Sequence, residues 1–338
     1  MWANTAGCSH AWSGSPEVPL AVNEKNQGPA WGDSLFEDTA EYGYGMMLGA
    51  RVVRKRLKDL ADTILPELPE GELKDAMADW AANVENSAGT RQRADRLADA
   101  LEAADRSNEV LAEMYEKKDF LVRSSQWIVG GDGWAYDIDF GGLDHVLAAG
   151  DNVNVIVMDT EVYSNTGGQA SKGTPAAAIA KFAADGKKTK KKDLGMMLMS
   201  YGYVYVAQVC MGADKAQTLK AIKEAEAYDG PSVVIAYCPC INHGIKAGMS
   251  DAQNQAKRAV EAGYWHMYRF DPRRKAEGKN PFQLDSKLPT TPIRDYMLSE
   301  VRYASLYKKF PALAEDLFNK AEIDAKDRMD SYLRLTKD

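Results

Sequence analysis

The sequence predicts an α/β protein: a doubly wound parallel sheet with a helical insertion before it and helices at the C-terminus. Apolar runs of strand length alternate with amphipathic helical stretches over residues 124–290, the pattern of parallel strands covered on both faces. Residues 34–123 carry helical periodicity alone, and so do residues 291–338. Two neighbouring apolar runs also end in polar, glycine-containing loops, and the carboxyl ends of strands are where an open parallel sheet holds ligands.

Taken in order, the stretch up to Gly32 is rich in Gly, Pro, Ser and Asn and reads as an irregular surface segment. From Ser34 to Arg123, apolar residues recur at three- and four-residue spacing in LFEDTAEYGYGMMLGARVVRKRLKDLADTIL, GELKDAMADWAANV and TRQRADRLADALEAADRSNEVLAEMYEKK. This predicts helices packed as a hairpin, with Pro66, Pro69 and Gly71 parting the first from the second. The rhythm then changes. Gln126 to Val129 is a short strand, LDHVLAAG a helix, and Asn152 to Met158 the next strand. KKDLGMMLMSYG, DKAQTLKAIKEAEAYDG and SDAQNQAKRAVEAG are helices interleaved with the strands VYVAQV, PSVVIAYCPC and WHMYRF. The tail supplies the helices RDYMLSEVRYASLYKKF and PALAEDLFNKAEIDAKDRMDSYLRL.

Composition narrows the function classes. A chain of 338 residues with 45% hydrophobic and 27% charged residues is that of an ordinary globular protein. A net charge of -7 argues against nucleic acid or an anionic membrane as partner. No apolar run is long enough to span a bilayer, and the first residues lack a signal peptide's zones, so the expected location is the cytoplasm. Cys8, Cys210, Cys238 and Cys240 are too few for a disulfide framework and form no CxxC pair.

The chemistry is expected at the strand ends. GGDG, from Gly130 to Gly133, sets a carboxylate between glycines, and DTEVYSN, from Asp159 to Asn165, sets acid, hydroxyl and amide oxygens at the end of the next strand. Mg²⁺ takes oxygen ligands, one or two from side chains and the rest from phosphate and water. Asp132 and Thr160 are two such donors, while Gly131 and Gly133 let backbone N–H groups approach a diphosphate. The competing reading is a plain tight βα turn. A dinucleotide GxGxxG motif fails, because Tyr136 stands where its last glycine belongs.

GDG followed by a polar pair at the next strand end resembles the thiamin-diphosphate motif, here ending in Asp159-Thr160 in place of the usual Asn-Asn. GGDGWAYDI, DTEVYSNTGGQ, NTAGCSHAWSGS, GPAWGDSLFEDTAEYGYGM, KKDLGMMLMSYGYVYVAQV and CINHG together resemble the thiamin-binding domain of the pyruvate:ferredoxin (flavodoxin) oxidoreductases across most of the chain. That resemblance implies a thiamin-diphosphate-binding type of sheet spanning residues 1–338, truncated at its N-terminus: insertion 34–123, core 124–290, C-terminal helices 291–338. It implies that Asp132, Thr160 and the main-chain oxygen of Val162 bind Mg²⁺. Gly131, Gly133 and Trp134 would line the diphosphate, Glu161, Tyr163 and Ser164 would complete the loop, and Asn165 would act catalytically beside the reactive end of the cofactor. Cys8 and Cys240 match two ligands of a [4Fe-4S] cluster, which needs four.

The implied reaction is oxidative decarboxylation of pyruvate to acetyl-CoA and CO₂, with electrons leaving through iron–sulfur clusters to ferredoxin or flavodoxin. The partners implied are pyruvate, coenzyme A, the electron carrier, the remaining domains of the enzyme and a second copy in a homodimer; this chain alone is expected to be inactive. Another 2-oxo acid as substrate, or an inactive cofactor-binding fragment, are the alternatives.

Other features read more plainly. KKTKKKD, Lys187 to Asp193, is expected to be a solvated run, with the steering of an acidic partner or a coenzyme phosphate as its functional alternative. Cys210 and Cys238 read as strand residues and His243 as a loop histidine without a metal set; His10, His145 and His266 are isolated. Trp31, Tyr42, Trp80 and Trp265 read as core or interface anchors.

Overall fold

The structure is a computed structural model, and it describes residues 1–7, 22, 28 and 30–337. The chain folds as two compact units. One comprises Met1 and Tyr44–Gln126, the other Trp2–Gly43 and Trp127–Asp338.

The second unit is built on an eight-stranded sheet of order β2-β1-β3-β4-β6-β5-β7-β8 among the described residues. The strands are β1 (Trp2–Thr5), β2 (Trp31–Ser34), β3 (Trp127–Gly131), β4 (Asn154–Asp159), β5 (Tyr205–Val209), β6 (Ser232–Tyr237), β7 (Tyr268–Phe270) and β8 (Phe282–Leu284). The first six in sequence pair in parallel. Val155, Val157, Val206, Val233 and Ile235 are fully buried, as continuous apolar strands covered on both faces must be.

Two expectations are corrected here. The opening segment is not wholly irregular, since β1 and β2 lie within or against it; each is four residues long, too short for periodicity to register. WHMYRF does form a strand at its end, but β7 runs antiparallel to β5, and β8 pairs antiparallel to β7. An apolar run has the same side-chain pattern in either direction, so its sequence carries no information about orientation.

In the first unit, α1 (Thr39–Ile64) crosses from the second unit and is followed by α2 (Glu72–Ala82), α3 (Thr90–Ala103) and α4 (Glu109–Glu116). The expected single helix over residues 90–118 is therefore two. Asn108 ends the run between them by capping α4, its side chain accepting from the amides of Val110 and Leu111. Leu57, Met77, Trp80, Leu97, Leu101 and Met114 form the centre of the core, with the Trp80 indole N–H donating to the Leu121 carbonyl at 2.8 Å.

Back in the sheet unit, α5 (Phe140–Ala148), α6 (Leu194–Met199), α7 (Lys215–Glu226), α8 (Ala252–Glu261) and α9 (Arg273–Ala276) fall between strands. α10 (Ile293–Leu298), α11 (Val301–Lys309) and α12 (Pro311–Leu335) close the chain. Glu300 separates α10 from α11, and Pro311 opens α12 at a position where its missing N–H costs nothing.

Candidate cofactor and cation site

The loops that leave β1, β3, β4 and β6 at their carboxyl ends surround one pocket of about 450 Å³. It is lined by Ala6 and Gly7, Gly131 and Gly133, the stretch from Thr160 to Asn165 apart from Glu161, and Cys238 to Ile241. β3 passes at its end into a π-helical turn, Gly133–Ile138, an element common at functional sites. Gly133 is required sterically: a Cβ there would stand 2.3 Å from the Tyr163 ring. At Gly131 the nearest atom to such a Cβ is 3.9 Å away, so its backbone faces open pocket.

Behind these glycines three oxygens converge. The Thr160 hydroxyl lies 2.9 Å from Asp132 Oδ1 and 3.0 Å from the Val162 carbonyl oxygen. The Thr160 amide also donates to Asp132 Oδ1 at 3.2 Å, and the Ser171 hydroxyl donates to Oδ2 at 2.5 Å. Asp132 is fully buried, and burial together with the negative charge of Asp159 pushes its carboxyl up to about 7. One carboxylate, one hydroxyl and one carbonyl, the last two from residues that line the pocket and the first buried just behind them, are the hard oxygen donors that Mg²⁺ takes when phosphate and water complete its shell. Lys191 offsets only part of the rise at Asp132, and a cation against the carboxylate would relieve the rest. The residues present fit the ion.

The expected site residues divide into those that face the pocket and those that do not. Gly131, Gly133, Thr160, Val162, Tyr163, Ser164, Asn165 and Cys240 line it, whereas Asp132 is fully buried and absent from the lining, lying behind Thr160. Asn165 is exposed at the pocket. Trp134 is fully buried and absent from the lining; its indole N–H donates to Asp139 Oδ2 at 2.7 Å. Glu161 points inward. Its carboxylate meets Lys191 Nζ at 3.0 Å and Arg302 at 2.8 Å and accepts from the Tyr264 hydroxyl at 2.5 Å. Glu161 also has φ 61°, the left-handed region, at a cost of roughly 1–2 kcal/mol for a residue with a Cβ. Burial opposes its ionisation, but Lys191 and Arg302 prevail and hold the carboxyl at about 2.

Cys8 and His10 lie outside the described residues. The Cys240 thiol sits 2.7 Å from the Ser164 hydroxyl. Cys210 and Cys238 each fall one residue beyond a strand, not in it. Cys210 is buried with its thiol 3.4 Å from the Ala256 carbonyl, whereas Cys238 lines the pocket, its thiol pushed up to about 12 by burial and by Asp159. With Cys210 set apart, the described residues do not supply the four thiolates of a [4Fe-4S] cluster.

The lysine run is corrected most. Lys191 is buried and bonded to Asp159 Oδ2 at 2.7 Å as well as to Glu161. Lys187 donates to the carbonyls of Ser171 and Thr174, and Lys192 to that of Tyr136. Three of the five lysines of the run are thus tied into the fold. His243 stands in its loop as expected but is fully buried, with Nε2 at 2.8 Å from the Thr160 carbonyl. A carbonyl only accepts, so Nε2 carries the proton. Ser171, Lys191, His243 and Arg302 are the contributors that sequence reasoning missed. Only Lys191 had a signal, its place in a basic run interrupted by Thr189 and ended by Asp193.

The sheet order, the two loops and the oxygen cluster define a class: an α/β domain of the thiamin-diphosphate-binding type. Residues 116–236 match the family described as thiamine pyrophosphate enzyme, C-terminal TPP binding domain. Along nearly its whole length the chain is similar to a segment of the pyruvate:flavodoxin and pyruvate:ferredoxin oxidoreductases. It is 60% identical over 334 residues, 98% of the chain, to a pyruvate-flavodoxin oxidoreductase of Klebsiella pneumoniae. It is 54% identical over 344 residues, 99% of the chain, to the pyruvate:ferredoxin oxidoreductase of Moorella thermoacetica. The chain spans 28% and 29% of the length of those two relatives. A solved 2-oxoglutarate:ferredoxin oxidoreductase from Magnetococcus marinus, with 2-oxoglutarate, coenzyme A and succinyl-CoA bound, is 26% identical. It covers 36% of this chain and 42% of its own at a TM-score of 0.33, too slight a likeness to bear on the fold.

Proposed function

We propose that this chain is the part of a pyruvate:ferredoxin or pyruvate:flavodoxin oxidoreductase that holds magnesium and the diphosphate of thiamin diphosphate. The observation that carries the reading is the convergence of Asp132 Oδ1, Thr160 Oγ1 and the Val162 carbonyl beside the pocket. When bound, the cofactor would supply the carbanion chemistry that decarboxylation of a 2-oxo acid needs. The chain's own residues bind and orient. Asp132, Thr160 and Val162 give oxygens to the cation; Gly131 leaves room for the diphosphate, Gly133 leaves room for the Tyr163 ring beside it, and both present amides to the anion. Asn165, exposed at the pocket, would hydrogen-bond the reacting group. Cys240 and Cys8 are two thiolates toward a cluster completed by residues outside this chain. Acetyl transfer to coenzyme A, the electron carrier, the remaining domains and a second copy in a homodimer belong to the whole enzyme, which we place in the cytoplasm.

The test is calorimetry of thiamin diphosphate binding with and without Mg²⁺. Uptake is expected only with the cation, and Asp132→Ala should abolish it. Cation-independent uptake, or an Asp132→Ala chain that binds normally, overturns the reading. No pyruvate-dependent dye reduction is expected from the chain by itself.

A further inference from the structure

Between Thr160 and Val162, the two residues of this loop that offer oxygens to the cation, stands Glu161 in a left-handed conformation. Its polar groups are held from the interior. Its amide donates to Asp159 Oδ1 at 3.1 Å, and its carbonyl accepts from Thr174 Oγ1 at 2.5 Å. Its two carboxylate oxygens are divided, Oε1 to Lys191 and Oε2 to Arg302 and Tyr264. Lys191 is anchored in turn to Asp159, and Arg302 Nε to Glu300 at 2.7 Å. Just before this residue the Thr160 carbonyl is fixed by His243.

We propose that Lys191 and Arg302 are positioning residues for the cation: by gripping Glu161 they hold the left-handed turn that brings Thr160 Oγ1 and the Val162 carbonyl to one point. This inference rests on the reading of that point as the cation site. Neither basic group is bonded to the oxygen cluster; Arg302 reaches it through Glu161, and Lys191 through Glu161 and through Asp159, which accepts the Glu161 amide. A buried ion cluster serving stability alone has no need to bind the one strained residue between two ligand oxygens. Released from the grip, residue 161 relaxes toward negative φ, the plane of the peptide after it rotates, and the Val162 carbonyl swings off Thr160.

The test pairs two readouts on the full chain, wild type against Lys191→Met and Lys191→Arg. In the cation-free proteins, amide hydrogen exchange at Glu161, Val162 and Tyr163 is expected to quicken at least tenfold in Lys191→Met and to stay near wild type in Lys191→Arg. Mn²⁺ binding in the presence of thiamin diphosphate, followed by electron paramagnetic resonance, is expected to weaken about tenfold in Lys191→Met, with most of the affinity restored in Lys191→Arg. A folded Lys191→Met chain with unchanged exchange or unchanged Mn²⁺ affinity overturns the proposal. If wild type takes up no Mn²⁺, the functional reading fails, and the exchange measurement still decides whether the grip exists. Should Lys191→Met not fold, Glu161→Gly replaces it. Glycine accepts the turn but offers nothing to grip, so fast exchange and weak Mn²⁺ binding are expected, and wild-type values for either overturn the proposal.

Discussion

The helical unit buries Arg54 and the sheet unit Arg269 and Arg302, and Arg54 and Arg302 are used in opposite ways. In the helical unit Arg54 donates to backbone carbonyls alone: those of Phe120 and Leu121 at 3.0 and 2.8 Å, and that of Val84. These lie just past α2 and around the short turn Lys118–Phe120, where chain ends leave carbonyls without helical partners. Burial pulls the Arg54 pKa below its ordinary value, with Glu85 only partly opposing. In the sheet unit Arg302 sits between Glu161 and Glu300, and although burial works against it, these carboxylates and the neighbouring tyrosines raise its pKa well above the ordinary value. The first arginine closes a fold. The second belongs to an ionic cluster whose other end is the loop of the candidate site.

The contrast breaks most sharply at Arg302. Arg302→Met leaves Glu300 and half of Glu161 buried without a cation, and loss of one member of a buried pair costs about 3–5 kcal/mol. Denaturant unfolding of the sheet unit should show that loss. A change under about 1 kcal/mol would mean that desolvation had already cancelled the attraction, and the two arginines would then differ in geometry only. Next in size is Arg54→Met, which leaves carbonyls without their buried donor, on the order of 3 kcal/mol in total. Arg54→Lys should recover only part, because one ammonium does not reproduce the fork of a guanidinium.

A neutral buried group sharpens the comparison through pH. His266 is held down to about 3, chiefly by burial and further by Arg328. Its folded pKa lies below the unfolded value near 6.5, so the unfolded chain binds more protons in between, and stability falls as pH drops through that window. Between pH 7 and 5 the loss from this residue is about 2 kcal/mol. His266→Phe, which cannot titrate, should flatten that limb of the acid-unfolding curve by the same amount.

These positions also mark what the sequence made legible. The alternating strands and helices were readable because fully buried parallel strands need uninterrupted apolar runs, and Val155 to Val157 or Val233 to Ile235 supply them. That Asp132 and Thr160 meet was readable because each follows an apolar run, and neighbouring parallel strands bring such ends together. The partners behind them were not. Ser171, Arg302 and His243 meet the site through hydrogen bonds over 39, 141 and 83 positions, and no local spacing encodes a contact of that range. Lys191 was misread for a related reason. A lysine in a basic run is normally solvated, and only the pairing of Asp159 and Glu161 in the folded chain makes its burial favourable. The direction of β7 was illegible in a stricter sense, since nothing in three buried residues distinguishes one orientation from the other.

The smallest effect is expected at Arg56, whose guanidinium pairs with Glu113 at 2.9 Å while more than half exposed. Arg56 and Lys117 draw the Glu113 carboxyl down to about 2, which by itself would suggest a strong interaction. Water and salt screen charges at this exposure, and ordering two long side chains costs entropy, so such pairs contribute little. Arg56→Ala should leave the unfolding midpoint of the helical unit unchanged within measurement error, and any difference at low ionic strength should vanish as salt is added. Lys117, at 2.6 Å from the other Glu113 oxygen, remains to take up the carboxylate in the variant. If Arg56→Ala instead weakened the unit as much as Arg54→Met, partner chemistry rather than burial would govern what an arginine contributes, and the distinction between the two units would lose its basis.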